Sequence, residues 1–388
     1  MATLDYLSYC SSQEWEDLLR FSEQQETPFL VIFTDKVRQK FEHFRSGFPA
    51  ARIYYAVKAN PGTPLLALLR DLGSYFDVAS IHELDQLIEL GVSPERVSFG
   101  NTIKKIRHIH EAYEKGVRLF ATDSEADIRN LAQAAPGSRV FFRLLMDAVT
   151  SDSDWPLSKK FGCQPGTLTD LVALSAELDL DPYGISFHVG SQQRDIQAWD
   201  AAIAKVSGLM ALLAKAQIPL RAINLGGGFP ADYLVKSNSL SVYAEEINHY
   251  LQNYFGSAIP EICLEPGRGL VGESGVLVSE VVLIARKAKT DRKRWVYTDT
   301  GVFNGLMETL GESIKYPIYT NRAGATEATI LAGPTCDSID IMYQEYDYPL
   351  PSSLAIGDRL YWLATGAYTA SYSAVEFNGF PPLRTYYL

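Results

Sequence analysis

An α/β architecture is predicted for this 388-residue chain: a (β/α)8 barrel of the TIM type joined to a second, mostly β domain. Three observations carry the prediction. Eight short β-type runs alternate with helical stretches. The first five recur about every 22 residues, which leaves room for one helix and two short loops per unit. Beyond Glu265 the alternation stops, and runs rich in Val, Ile, Leu, Tyr and Trp follow with no long helix between them. An open, doubly wound sheet is the alternative, because a strand count does not by itself require closure.

In chain order, PFLVIF at Pro28–Phe33 reads as a strand that precedes the first barrel helix and joins the second sheet. The second domain is then built from both chain ends. The expected boundaries are 30–268 for the barrel and 1–29 plus 269–388 for the β domain. Asp35 is read as the cap of a helix in which Val37, Phe41, Phe44 and Phe48 share one face. The barrel strands are expected at Ile53–Lys58, Phe76–Ser80, Val97–Gly100, Leu119–Thr122, Val140–Leu145, Ile185–Val189, Ala222–Leu225 and Ile262–Glu265. Tyr243, Ile247, Leu251 and Phe255 recur at helical spacing, and Gly256 supplies the stop. The β domain is expected at Gly275–Lys287, Arg294–Tyr297, Ala328–Ala332 and Asp358–Ala364.

Composition narrows the function. Lys and Arg number 35 against 46 Asp and Glu, a formal charge of −11, and no basic block stands out. Neither nucleic acid nor an anionic membrane is the expected partner. The uncharged stretch from Leu360 to Val375 carries Thr, Ser, Gly and Tyr and is too short and polar for a membrane span. MATLDYLSYC lacks the basic and apolar regions of a signal peptide. Cys10, Cys163, Cys263 and Cys336 are scattered, so neither a disulfide framework nor a structural zinc is expected, and a reducing cytoplasm fits.

The polar residues of the barrel fall where chemistry is placed, at the C-terminal ends of the strands. Lys58 ends the first; Asp77 lies in the second with Glu83 beyond it; Arg143 is near the end of the fifth. His188 ends the sixth with Ser191 three residues on. Gly226, Gly227 and Gly228 follow the seventh, and Glu265 with Arg268 close the eighth. Singly, each has a plainer reading: a solvated lysine, a core histidine, a tight turn, a surface ion pair worth little. Together they offer an amine for an imine, a ring to stack, backbone N–H groups and a guanidinium for phosphate, and a carboxylate for a pyridine nitrogen. Those are the requirements of pyridoxal 5′-phosphate, and a carboxylate at the ring nitrogen makes that ring a strong electron sink. The second domain adds Cys336 in GPTCDSID, Tyr368 in TGAYT and Phe377 in FNGF. Here too core filler, a half-buried tyrosine and a hairpin turn are the plainer readings.

YAVKAN, FDVAS, SFHVGS, GGGFP, EPGR, GPTCDSID, GAYT and EFNGF, in that order, resemble the pyridoxal-phosphate-dependent basic amino acid decarboxylases of the alanine-racemase fold. Within that family the chain is most similar to bacterial ornithine decarboxylases, from about Pro28 to the C-terminus. The resemblance implies that Lys58 is the Schiff-base lysine, His188 stacks on the cofactor ring and Glu265 partners its nitrogen. It implies phosphate contacts from Gly226, Gly227, Gly228, Ser191, Arg268 and Tyr368, with Asp77, Glu83 and Arg143 supporting ring and lysine. Cys336 would protonate Cα, Asp337 would face the distal amine of the substrate, and Phe377 would line the substrate cavity. Cys336 and Asp337 would be donated across the interface of a C2 homodimer. The segment that sets substrate length departs from the eukaryotic pattern, offering Glu308 and Glu312 in GVFNGLMETLGESIKYP. The implied activity is decarboxylation of L-ornithine to putrescine in polyamine biosynthesis. The alternatives are L-lysine, another basic or pathway-specific amino acid, and a non-catalytic regulatory homologue. Glu265 speaks against a racemase, and Cys336-Asp337-Ser338 against a diaminopimelate decarboxylase. Ala148–Pro156, rich in Ser and Asp, is expected as a loop over the site.

Overall fold

The computed structural model describes residues 5–146, 153–155 (backbone only) and 160–388. Most of the predicted loop at 148–156 therefore lies outside the described residues. The chain divides into two compact units. One is Arg38–Pro230 with Ser237–Leu270; the other is Met1–Val37 with Ala231–Lys236 and Val271–Leu388.

Strand β1 (Phe29–Ile32) belongs to the second unit. The first unit contains β2 (Ala51–Ala56), β3 (Tyr75–Val78), β4 (Val97–Phe99), β5 (Leu119–Thr122), β6 (Arg139–Arg143), β7 (Ser153–Trp155), β8 (Asp181–Ser186), β9 (Ser191–Gln193), β10 (Ala222–Asn224) and β11 (Glu261–Leu264). All but β7 and β9 form a closed barrel in which every neighbour is parallel. Closure is made where Ile262 and Leu264 of β11 lie opposite Ala51 and Ile53 of β2, which rules out the open sheet. Side chains fill the interior: Tyr54, Leu119, Ala121, Phe141, Tyr183, Ala222 and Cys263 form one buried cluster. The outer helices turn their apolar stripes inward. Val37, Phe41 and Phe44 are buried in the helix Thr34–Gly47, and Tyr243, Ile247 and Leu251 in Leu240–Phe255. Asp35 lies inside the first turn of its helix and is not its cap. β7 and β9 make a separate antiparallel ribbon.

All eight predicted barrel strands exist, but four of the predicted runs extend two or three residues past the observed C-terminal ends and the other four by at most one. Lys58, Ser80, Leu145, Val189 and Glu265 lie beyond the last paired residue. These polar or site-facing positions leave the ladder so that side chains and backbone groups can turn toward a ligand.

The second unit is a curled, mostly β sheet with the order β14 (Ile318–Tyr319), β17 (Arg359–Leu363), β12 (Gly275–Ala285), β13 (Arg294–Thr298), β15 (Thr326–Ala332), β16 (Ile341–Pro351). β1 pairs antiparallel with β12 and parallel with β18 (Arg384–Tyr387), so both chain ends build this sheet. Alternation explains why β1 is buried on both faces. Phe29 and Val31 pack with Trp15 and Leu18 of the helix Ser12–Ser22, whereas Leu30 and Ile32 join a core containing Tyr316, Tyr343, Tyr348 and Trp362. In that core Tyr343 and Tyr348 donate their hydroxyls to the carbonyls of Ile314 and Tyr316 and accept from the N–H groups of Tyr316 and Ile318.

The helix Ser12–Ser22 and the strands β14, β16 and β18 of this unit escaped the sequence reading. The helix Ser12–Ser22 opens with a capping box between Ser11 and Glu14. Strand β16 carries Glu345, Asp347, Pro349 and Pro351, residues that a strand tolerates because this one is an edge. The four cysteines are unpaired. Among the described residues no helix is long and apolar enough to cross a membrane.

Candidate active site

In the barrel unit the predicted residues converge where the strands end. Lys58 occupies a single 3-10 turn, Val57–Ala59, directly after β2. Its neighbours Val57 and Ala59 are buried while Lys58 itself is exposed. The turn is pinned from both sides: Ala56 N–H donates to Pro266 O at 3.2 Å, and the Tyr55 hydroxyl donates to Asn60 O at 2.9 Å.

Asp77 is 8% exposed, and its Oδ1 has no hydrogen-bond partner among the described residues. Burial pushes its carboxyl well above the usual carboxylate range; Glu265 and Glu83 add to that, while Lys58 and Arg143 oppose it. Gly100 makes the room, since a Cβ there would stand 2.0 Å from Asp77 Oδ1. Glu83 sits in the first turn of the helix Ile81–Glu89, where Ser80 Oγ accepts from its N–H. Its Oε2 accepts from Ala79 N–H at 2.6 Å. Burial raises this carboxyl too, and Lys58 lowers it.

His188 accepts a hydrogen bond from Gly190 N–H at 3.0 Å through Nδ1. Burial first, then the positive charges of Arg143 and Lys58, hold its imidazole down at about 3. The ring is neutral with its proton on Nε2. Arg143 ends β6 with its guanidinium 4.9 Å from the Phe161 ring centre.

The glycine run supplies the cradle. Gly226 and Gly228 have φ of +66° and +97°, conformations that favour glycine, and Gly227 packs so tightly that a Cβ would lie 2.7 Å from Glu265 O and 3.3 Å from His188 Nε2. Asn224, the last residue of β10, ties this loop to the carboxylate. Its Oδ1 accepts from Gly226 N–H at 2.9 Å, which fixes the amide orientation, and its Nδ2 donates to Glu265 Oε1 at 2.5 Å. Arg268 is 4% exposed, with Nε and Nη2 each 3.2 Å from Ser191 Oγ. Ser191 is held beside Gly228 because Gln193 N–H donates to Gly228 O at 2.9 Å. Glycine backbone, serine hydroxyl and guanidinium thus form a cradle of donors suited to a phosphate. With the orphaned Asp77 carboxyl, the amine of Lys58 and the oriented Glu265, this donor set fits pyridoxal phosphate.

The second unit gathers a different group. Cys336 is exposed, and its N–H donates to Asn378 Oδ1 at 3.0 Å. The loop before it is locked by Asp340, which is 2% exposed and accepts from Val302 N–H, Thr335 N–H and the Thr335 hydroxyl. Asp337 closes a tight turn by accepting from Ile339 N–H. Phe377 packs at a tilt of 38° against Phe303 with ring centres 4.7 Å apart. Tyr368 is half-buried at φ +62°. The two acids of the length-setting segment part company. Glu308 is buried, whereas the carboxylate of Glu312 accepts from the backbone N–H groups of Gln344, Glu345 and Tyr346 in β16. That carboxylate is engaged by an edge strand whose N–H groups need acceptors, so it is not left for a substrate.

Sequence reasoning missed Asn224, Asp340 and Asn378. Each lay inside or beside a motif already singled out; for Asn224 and Asn378 the signal is an Asn within two residues of a glycine turn, whereas Asp340 carries no such local mark.

Residues 34–272 match the family model described as pyridoxal-dependent decarboxylase, pyridoxal binding domain. The lysine/ornithine decarboxylase of Selenomonas ruminantium is 33% identical over 355 residues, 91% of this chain and 88% of that protein. The ornithine decarboxylase of Schizosaccharomyces pombe is 32% identical over 372 residues, 93% and 83% of the two chains. Antizyme inhibitor 2 of Xenopus laevis is 30% identical over 384 residues, 94% and 82%. The crystal structure of SrLDC in complex with PLP and cadaverine superposes with a TM-score of 0.86 at 31% identity, covering 99% of this chain and 94% of that one. With barrel, cradle and family model in agreement, the chain belongs to the pyridoxal-dependent decarboxylases, and its cofactor is pyridoxal 5′-phosphate.

Proposed function

We propose that this chain removes the α-carboxylate of L-ornithine to give putrescine and CO2, in a reducing cytoplasm, with L-lysine as the competing substrate. The observation that carries the reading is the joint presence, at one barrel end, of Lys58, the Asn224-oriented Glu265 and the Gly226–Gly228 and Arg268 cradle. The substrate class draws support from relatives named for lysine and ornithine. A purely regulatory role, raised by the likeness to an antizyme inhibitor, finds no missing residue in its favour: Lys58, His188, Glu265 and Cys336 are all in place.

Bound pyridoxal phosphate supplies an aldehyde for imine formation and an electron sink for the pair left when CO2 departs. The chain's own residues do the rest. Lys58 would supply the amine that holds the cofactor. Gly226, Gly227, Gly228, Ser191, Arg268 and Tyr368 hold phosphate. Glu265, oriented by Asn224, keeps a proton on the ring nitrogen, and Asp77, Glu83 and Arg143 support ring and lysine. His188, being neutral, stacks without adding a positive charge. Cys336 delivers a proton to Cα, Asp337 and Glu308 receive the distal ammonium, and Phe377 walls the cavity. A second copy of the chain provides Cys336 and Asp337, so the active form is a C2 homodimer.

The decisive assay is CO2 release from L-ornithine, L-lysine, L-arginine and meso-diaminopimelate by the cofactor-loaded protein. Ornithine is expected to lead by about tenfold or more, a preference of the size one methylene commands. Parity with lysine would make the enzyme bifunctional, and silence on all four with the imine absorbance present would sink the proposal. Mixing inactive Lys58→Ala and Cys336→Ala proteins should restore about a quarter of the activity if sites are shared between copies, and none if they are not.

A further inference from the structure

The opposite, N-terminal end of the barrel holds a cavity of about 420 Å³ that the decarboxylation does not use. It is lined by the side chains that begin the strands: Arg52 and Tyr54 of β2, Tyr75 of β3, Arg96 before β4, Arg118 before β5, and Arg139 of β6. Four guanidinium groups meeting in one cavity is an uneven distribution in a chain whose net charge is −11.

Arg52 is neutralised: Nη2 lies 2.8 Å from Glu261 Oε2, and Nη1 donates to the Tyr183 hydroxyl. Among the described residues Arg96 and Arg118 make no ion pair with a carboxylate. Arg96 donates to the carbonyls of Arg70 and Ser74, and Arg118 to those of Tyr113 and Val117, each at the close of a helix that ends on this face. The Arg139 side chain has neither an ion pair nor a hydrogen bond among the described residues; its guanidinium stands 5.1 Å over the Tyr183 ring. Among the described residues Glu95, exposed and without an ion pair, is the one acid of the lining. Of the four arginines only Arg139 is therefore left without a hydrogen-bond partner for its guanidinium among the described residues, while Arg96 and Arg118 lean on helix carbonyls that do not cancel their charge, and one exposed carboxylate, Glu95, faces the three.

A second observation points to a ligand. Tyr54 is 3% exposed, lines the cavity and packs against Tyr75 with ring centres 5.0 Å apart, yet its hydroxyl has no hydrogen-bond partner among the described residues. Burial raises the phenol above its ordinary range, so it stays a proton donor at every working pH. Helix-end capping accounts for Arg96 and Arg118 but for neither Arg139 nor the Tyr54 hydroxyl.

We propose that this cavity binds a compact polyvalent oxyanion of the phosphate class, held by Arg96, Arg118 and Arg139 with Tyr54 as a neutral donor. Guanidinium forks match phosphoryl oxygens two at a time, and the volume suits a small molecule. The site has a direct mechanical line to the chemistry. β2 starts here with Arg52 and Tyr54 and ends at Lys58, β3 starts with Tyr75 and reaches Asp77, and β6 runs from Arg139 to Arg143.

The test is calorimetric titration of the cofactor-loaded enzyme with inorganic triphosphate at fixed ionic strength, repeated with ATP and with citrate. Saturable 1:1 binding that weakens at least tenfold in Arg139→Gln and several-fold in Tyr54→Phe is expected. Unchanged decarboxylation by both variants would show that they are folded. ATP binding tenfold tighter than triphosphate would identify a nucleotide as the source of the phosphates; equal affinity would identify the phosphates alone. Absence of saturable binding, citrate binding tighter than triphosphate, or full affinity in Arg139→Gln would each overturn the proposal. If Arg139→Gln does not fold, Tyr54→Phe alone decides, because removal of one hydroxyl leaves the fold intact and should still cost several-fold.

Discussion

The two ends of the barrel are built from the same strands and treat charge differently. At the C-terminal end Lys58, Asp77, Glu83, Arg143 and Glu265 are brought within each other's field, a buried carboxyl oxygen of Asp77 is left without a partner, and glycines at positive φ take positions that a side chain would block. At the N-terminal end most charges are satisfied locally: Arg52 by Glu261, Arg221 by Asp181, Arg96 and Arg118 by helix carbonyls. Helix polarity explains part of this. The helices end at the N-terminal face, where their carbonyls favour arginine, and begin at the other, where N–H groups and dipoles favour anions. Where a group is left unsatisfied after such local compensation, a ligand is expected.

The sharpest break of the comparison is Lys58→Ala. Imine absorbance should vanish and CO2 release should fall by about 10³-fold or more, while the melting temperature stays near wild type because Lys58 is exposed. A melting temperature that drops by many degrees would recast Lys58 as structural. Next is Asn224→Asp, which sets a second carboxyl against Glu265 and removes its N–H donor. A loss of about tenfold or more in kcat with a displaced pH profile is expected; an unchanged profile would mean that Asn224 does not govern Glu265.

His188 makes a pH prediction with a definite sign. Its folded pKa of about 3 lies below the ordinary value of 6.5, so the unfolded chain binds a proton that the native protein does not. Stability from this group is full above pH 6.5 and is lost as pH falls from 6.5 toward 3. Thermal melts of the cofactor-free protein between pH 7 and 5 should therefore fall more steeply in wild type than in His188→Asn, by about a degree or two. Parallel curves would count against a neutral His188.

The smallest expected effect separates two acids that look alike in sequence. Glu312→Gln should cost about 1 kcal/mol in denaturant unfolding, through weakened bonds to β16, and leave substrate preference alone. Glu308→Gln should raise KM for the diamino acid instead. A shift of preference in Glu312→Gln would return that residue to the substrate site.

The barrel was legible because its repeat is local. Eight β-type runs alternating with helical stretches, the first five at regular spacing, state the architecture without reference to distant contacts, and the candidate site motifs of the barrel were visible because each sits at the end of one such run. Strand ends were placed too late because polar site residues continue an apolar run in sequence while leaving the ladder in space. Lys58, two residues past β2, is the plainest example. Strand β16 stayed hidden because edge strands admit the charges and prolines that signal loops elsewhere.

The sequence by itself thus determined the barrel class and brought to notice the residue types of the proposed cofactor site and their order along the chain. Those depend on period, turn chemistry and side-chain character, which act over a few residues. Only the tertiary structure decided that β11 closes on β2, that Asn224 joins the glycine loop to Glu265, and that Glu312 reaches a strand 32 positions away. It also decided that arginines from four separate strand starts share one cavity. The physical reason is the same in each case: a hydrogen bond or a shared field is set by distance in space, and packing of a closed barrel brings together groups that no local pattern relates.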